Sequence, residues 1–147
     1  MAEGDITIYN QFKEQVMLGV HNLGNGGDAI QITLHTSYTP DIDSHQVWTD
    51  VSGTEYGAGS GYSSGGETLA NQAVAQDNSN DWGSFDADNV TWSSLGPLSP
   101  ATPDYAIIWD DTHASDSLIC YIELGVTATN GGNYTIAFHT NGILVLN

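Results

Sequence analysis

Ile30-Gln31-Ile32-Thr33-Leu34-His35 alternates strictly between apolar and polar residues. Successive side chains of an extended strand point to opposite faces, so this period of two predicts a half-buried strand with Ile30, Ile32 and Leu34 on its apolar side and Gln31, Thr33 and His35 on its polar side. The same pattern recurs at Val47-Thr49-Val51, at Leu118-Cys120-Ile122-Leu124 and at Tyr134-Ile136-Phe138. Tyr105-Ala106-Ile107-Ile108-Trp109 is continuously apolar and predicts a strand buried on both faces, and Val90-Thr91-Trp92 predicts the start of another. Asn141-Gly142 lies between Tyr134–Phe138 and Ile143–Leu146, and both central residues of a two-residue hairpin turn need positive φ. A C-terminal hairpin is therefore expected.

Before Asp28 the period is helical. Tyr9, Phe12, Val16, Met17 and Val20 recur at spacings of three and four, which lines one face of a helix over about residues 10–21. Asn10 is placed to cap it, and Gly24 offers a left-handed residue where it would stop. The Met and aromatic stripe reads as a face packed on a sheet. About eight to ten short strands separated by turn clusters, plus this one short N-terminal helix, predict an all-β domain with a β-sandwich or jelly-roll-like fold. The expected organisation is a single domain over 1–147: an N-terminal arm 1–8, the helix, then a β-sandwich over 28–147.

Composition agrees. A chain of 147 residues with 39% hydrophobic residues and 17 glycines can bury a core and has many tight turns. Eighteen acids face one base, Lys13, for a formal net charge of −17. Nucleic acid and anionic membrane surfaces are excluded as partners on this ground, because both draw affinity from Lys and Arg. The acids are expected to be solvated, or matched by a basic partner or cations. The lone cysteine, Cys120, cannot form an internal disulfide and reads as a small core residue. The acidic start, Met1-Ala2-Glu3-Gly4-Asp5, does not resemble a signal peptide, and no apolar run is of membrane-spanning length.

Two segments punctuate the strands. Gly53–Gly66 is mostly glycine and serine with tyrosine interspersed, and reads either as a mobile connection or as a contact arm that orders on a partner. Leu95–Pro103 holds three of the four prolines and interrupts pairing before the Tyr105 strand.

Catalytic patterns are scarce. The histidines, His21, His35, His45, His113 and His139, are scattered without an H-x-H pair or an H-E-x-x-H helix, and His35 and His139 fall on polar strand faces. There is no G-x-S-x-G elbow, and the one lysine follows phenylalanine, which rules out a G-x-x-x-x-G-K phosphate loop. Asp110 and Asp111 are adjacent, so in an extended segment they point to opposite faces and would not form an acid/base pair. Calcium is the ligand that the acidic runs invite. In Asp77-x-Ser79-x-Asp81-Trp82-Gly83, however, tryptophan stands where a calcium loop needs glycine and no glutamate follows at the required position. Asp86-Ala87-Asp88-Asn89 also lacks the glycine. Both runs read as turns whose Asp and Asn side chains bond the local backbone. No catalytic residue, no metal ligand and no cofactor is assigned.

Several stretches resemble a family. Tyr9-Asn10-Gln11-Phe12-Lys13-Glu14-Gln15, Thr36-Ser37-Tyr38-Thr39-Pro40-Asp41-Ile42-Asp43-Ser44-His45 with Trp48-Thr49-Asp50-Val51-Ser52, Gly61–Ala70 and Phe85-Asp86-Ala87-Asp88-Asn89-Val90-Thr91-Trp92 resemble small virion structural proteins of tailed bacteriophages. The resemblance covers most of the chain in order, ending at Asn141-Gly142-Ile143. It implies a late, non-enzymatic head decoration or cement protein on the capsid exterior, made in the host cytoplasm, with the major capsid protein as partner and self-association as a trimer. Residues before Tyr9 and the Gly/Ser/Tyr loop are then the candidate lattice-contact arms, with Tyr56 and Tyr62 as apolar anchors. The alternative is a tail or baseplate-associated adhesin in which Trp48, Trp82, Trp92 or Trp109 forms a carbohydrate platform, set against the reading of these tryptophans as core fillers.

Overall fold

In the computed structural model the described residues are 4–59, 61–96, 102–125 and 129–147. Among these residues the protein is all-β, with ten strands in three antiparallel sheets. The largest sheet has five strands in the order β1 (Ile6–Ile8), β8 (Ser117–Glu123), β7 (Tyr105–Asp110), β2 (Ile30–His35), β3 (Glu67–Thr68). A second sheet orders β10 (Leu144–Leu146), β5 (Trp82–Asp86), β4 (Ala73–Asp77), and a third pairs β6 (Val90–Leu95) with β9 (Gly132–Ile136).

The main core lies on one face of the five-stranded sheet. Ile30, Ile32 and Leu34 of β2, Ala106 and Ile108 of β7, and Cys120 and Ile122 of β8 pack with Phe85, Leu144, Val90, Trp92 and Ile136 from the two smaller sheets. That is a sandwich, and Cys120 is fully buried in it. Full burial of side chains this size stabilises by roughly 1.5–3 kcal/mol each before the entropy cost of ordering the chain.

The opposite face of the five-stranded sheet is covered as well, and this corrects the expectation for His35. Ile107, Trp109, Leu118 and Tyr121 form a second cluster with Tyr9, Tyr38 and Val51. His35 and Thr33, on the polar side of β2, are both 0% exposed. The alternation was correct, but the chain from Tyr38 to Thr54 folds back over that side. A short helix α2 (Trp48–Val51) and a 3-10 turn (Ser52–Thr54) stand where the period of Val47-Thr49-Val51 predicts a strand. Asp50 decides this locally, because its Oδ2 accepts the Gln46 and Val47 N–H groups at 2.9 and 3.0 Å and starts a helical turn.

Register also departs from strict alternation in β8. Ile108 pairs with Cys120 while Trp109 pairs with Leu118, so Ile119 is a bulge. The extra residue turns Leu118 to the second cluster while Cys120, Ile122 and Leu124 stay in the first. Simple alternation places all four on one face.

Helix α1 runs Asn10–Leu18 and ends at Gly19, earlier than the expected Gly24. Gly19 has φ +69° and donates its N–H to Val16 at 3.1 Å, while the Val20 N–H reaches the Gln15 carbonyl at 3.0 Å. Asn10 is the first helical residue and not the cap; its Nδ2 donates to Asp43 Oδ1 at 2.6 Å. Residues 6–8 form a strand paired to β8, so the N-terminal segment in the described residues is part of the sheet and not a free arm. Residues 1–3 lie outside the described residues.

The C-terminal hairpin does not form as expected. The turn is real, with the Gly142 N–H on the His139 carbonyl at 2.8 Å and φ +106°. Its two flanks diverge: β9 joins β6 and β10 joins β5. A tight hairpin forms instead at β4–β5, where Asp77 Oδ1 accepts the Ser79 and Asn80 N–H groups and Asp77 Oδ2 accepts Asn80 Nδ2. The polar run is thus a turn, followed by a connection over 87–89 that delivers Val90 and Trp92 into β6.

One glycine is obligatory here. Gly66 has φ +71° and its α-carbon sits against the Ile32 carbonyl, which an added Cβ would strike. Gly66→Ala is expected to lower stability by about 2 kcal/mol or more, from the left-handed backbone and the clash together. A urea midpoint that falls with the slope unchanged would show it, and an unchanged midpoint would contradict it.

Candidate functional site

Helix α1 presents an unexpected surface. Phe12 and Gln15 are buried and Val16 packs on the main core, whereas Met17 is 82% and Leu18 70% exposed. Across from Met17, Val74 of β4 is 61% and Leu146 of β10 is 58% exposed. Between them lies a cleft of ≈ 630 Å³ floored by Ile8, Phe12, Phe85 and Leu144. Lys13 stands in its wall, with its ammonium donating to Asn10 Oδ1 at 2.9 Å. An apolar cleft with exposed apolar rims on a chain of net charge −17 is a place for a partner to bury against.

His21 also lines this cleft, and behind it lies a buried polar chain. His21 Nδ1 lies 2.6 Å from Asp110 Oδ2, with both side chains 1% exposed. His21 Nε2 lies 2.8 Å from Gln15 Oε1, and Gln15 Nε2 donates to Ser117 Oγ at 3.1 Å. Ser117 Oγ in turn meets His113 Nδ1 at 3.1 Å, and that nitrogen accepts the Ser115 N–H. These bonds fix one another. His113 Nδ1 is an acceptor, so the Ser117 hydroxyl donates to it and receives from the Gln15 amide, which leaves the Gln15 carbonyl oxygen facing His21.

Asp110 ends the apolar strand β7, and three donors hold it. Burial alone would raise its carboxyl, but the hydrogen bond from His21 and the Thr112 and His113 N–H groups outweigh burial and hold it below the usual carboxylate range. Asp28 completes the group. Its Oδ2 accepts the Asn22 N–H at 2.6 Å, and one ligand atom from each of His21, Asp28 and Asp110 lies within 4.8 Å of the others. Asp110 is buried while its neighbour Asp111 is exposed, and Asp110 finds its partner, His21, 89 positions away.

The expected contact anchors sit elsewhere and are turned inward. Tyr56 and Tyr62 are 2% and 3% exposed, and their rings meet edge to face at 5.6 Å. Tyr62 Oη accepts the Leu34 N–H at 3.1 Å and donates to Glu55 Oε1 at 3.0 Å, while Tyr56 Oη bonds Thr129 Oγ1 at 2.7 Å. Both fasten the Gly53–Gly66 loop to the sheet, so neither ring is offered to a partner. Ser60 within that loop and residues 97–101 of the proline segment lie outside the described residues. Among the tryptophans, Trp92 is 1% and Trp109 5% exposed, and Trp48 stacks on Trp109 at 4.7 Å. These three serve the core and do not form an open platform.

Gln15, His21, Asp28 and the cleft rim were not singled out by the sequence. The one available signal was Asp110, a carboxylate closing an otherwise apolar strand, which requires a buried partner. The chain matches no protein-family model, no curated protein and no solved structure. Among the described residues no helix is long and apolar enough to cross a membrane.

Proposed function

We propose that this is a non-enzymatic bacteriophage virion structural protein, a capsid decoration or cement protein that binds the outside of the major capsid protein lattice and stabilises the head. The observation that carries a binding role is the apolar cleft beside α1, rimmed by exposed Met17, Val74 and Leu146. The occupant is an apolar segment of the major capsid protein with basic flanks. Charge complementarity argues for this partner, since 18 acids against one lysine repel any other acidic surface and favour a cationic one. The resemblance of Tyr9–Gln15, Thr36–His45 and Phe85–Trp92 to phage structural proteins supplies the setting. The His21 ring, with both nitrogens engaged, supports binding over catalysis as the role of this face.

The test is whether the protein is present in stoichiometric amounts on purified particles, with density on the capsid exterior. Absence from particles would overturn the reading. Val74→Glu changes an exposed residue and should leave folding intact while reducing capsid occupancy by roughly tenfold, because it places a charge against a desolvated apolar contact. Unchanged occupancy would move the contact away from the cleft. Self-association as a trimer is read directly by sedimentation of the free protein.

A further inference from the structure

The second shared property of this face is its need for a cation. With Nε2–H of His21 donating to the Gln15 carbonyl oxygen, the other nitrogen, Nδ1, faces Asp110 Oδ2 at 2.6 Å with Asp28 close by. A bare lone pair against carboxylates is repulsive, so this arrangement suits a cation bound to Nδ1. A second carboxylate, that of Asp28, is brought within 4.8 Å of both. A clamp across the loop holds Asp28 in that position: the Asp28 N–H bonds the Asn22 carbonyl at 2.7 Å, and the Asn22 N–H bonds the Asp28 carboxylate at 2.6 Å.

We propose that His21 Nδ1, Asp110 Oδ2 and an Asp28 carboxylate oxygen form a binding site for a first-row divalent cation, Zn2+ by preference. One imidazole and two carboxylates is a ligand set zinc accepts, leaving a fourth position for water. A tetrahedral zinc with bonds of about 2.1 Å keeps its ligand atoms roughly 3.4 Å apart. That separation lies between the closest pair, 2.6 Å, and the 4.8 Å limit of the group, so side-chain adjustments of about 1 Å bring the three into position. The surroundings are those of a built site. A ligating histidine characteristically donates its other ring N–H to a carbonyl or carboxylate, and Gln15 supplies this, itself oriented by Ser117 and His113. The bound ion ties the segment after α1 and the Asn22–Asp28 loop to the end of β7, and so stiffens one wall of the cleft.

Zinc titrated into the metal-free full chain is expected to bind one to one in calorimetry and to raise Tm, with Mn2+ weaker and Ca2+ giving no site-specific heat. Co2+ in place of zinc should give a visible absorption band from a low-symmetry nitrogen and oxygen site. Asp28→Asn, a change at the partly exposed ligand, should weaken zinc by about tenfold or more while leaving the metal-free Tm close to that of the unmodified protein. His21→Gln should abolish the cobalt band. Zinc binding with unchanged affinity in the folded Asp28→Asn variant would overturn the proposal, since it would place the ion elsewhere on the acidic surface. So would the absence of both heat and Tm change with the folded, unmodified chain at millimolar zinc. Neither outcome depends on whether the protein is found on virions.

Discussion

Acidification from pH 7 to pH 4 is expected to remove several kcal/mol of folding stability through His35 alone. His35 is fully enclosed, and burial pushes its imidazole down from 6.5 to about 3. The neutral ring is well satisfied. The Thr54 hydroxyl donates to the Val51 carbonyl and so accepts from His35 Nδ1 at 3.0 Å, while the Thr33 hydroxyl, 2.9 Å from His35 Nε2 and 3.3 Å from the Ile107 carbonyl, donates to the nearer of the two. A protonated ring would turn the Thr33 hydroxyl to the Ile107 carbonyl and leave a charge among Trp48, Tyr38 and the β2 backbone. Because the folded value is depressed, the unfolded chain binds a proton more readily between pH 6.5 and about 3. Stability is therefore complete above 6.5 and falls as the pH drops through that window. Each pH unit is worth roughly 1.4 kcal/mol, so the descent from 6.5 to pH 4 amounts to about 3.5 kcal/mol.

Protonation of the many surface acids acts in the opposite direction, by relieving mutual repulsion. The measurement must therefore be a difference. Urea unfolding at pH 7, 5.5 and 4 is compared between the unmodified chain and His35→Gln. Glutamine can donate to Thr54 and accept from Thr33 without titrating. The unmodified protein should lose ground to the variant at each step down in pH. Parallel stability curves for the two proteins would show that His35 is not buried neutral.

The same residue shows how far the sequence could be read. The alternation at Ile30–His35 gave the strand, its facing and the sheet class, because a period of two is a local property of the extended backbone. It could not say that the polar face would be roofed. That depends on Asp50 turning Val47–Val51 into a helical turn and on Tyr9, Tyr38 and Trp48 arriving from distant segments. Tertiary covering overrides a facing pattern, and a histidine with two hydroxyl partners can be enclosed at little cost. The strand partners of Tyr134–Ile136 and Leu144–Leu146 escaped for a related reason. An Asn-Gly turn fixes a reversal of direction, whereas pairing is decided by which sheet has an open edge.

The cleft and the His21–Asp110–Asp28 group were less visible still. Their members lie in the segment after α1, before β2 and at the end of β7, and only the antiparallel pairing of Ile30 with Asp110 brings them together. The exposed side of α1 was hidden by its own pattern. Met17 follows exposed Lys13 by four residues and shares its side of the helix, and Gly19 stops the helix before Val20, so both stay on the surface. An amphipathic period marks what could be buried; the length of the element decides what is.

Tyr62→Ala is expected to destabilise the protein by about 3–5 kcal/mol, the range for removing a large aromatic side chain from a core. Sequence reasoning places Tyr62 on a contact arm, and an arm residue predicts the reverse: unchanged stability and weakened partner binding. The two roles separate cleanly. The ring is 3% exposed against Tyr56 and near Trp92, and its hydroxyl satisfies the Leu34 N–H, which is not used in pairing to β7 or β3. Truncation therefore opens a cavity and leaves a buried backbone donor and the Glu55 carboxylate without this partner. Tyr62→Phe removes only the hydroxyl and should cost about 1–3 kcal/mol, from the unpaired Leu34 N–H. The ordering Tyr62→Ala well below Tyr62→Phe, itself below the unmodified chain, is the signature of a ring that holds the Gly-rich loop to the sheet. Equal stability of all three proteins, with capsid binding lost in the alanine variant alone, would return Tyr62 to the role of a contact anchor. In that case the loop must swing out from Leu34 to meet its partner.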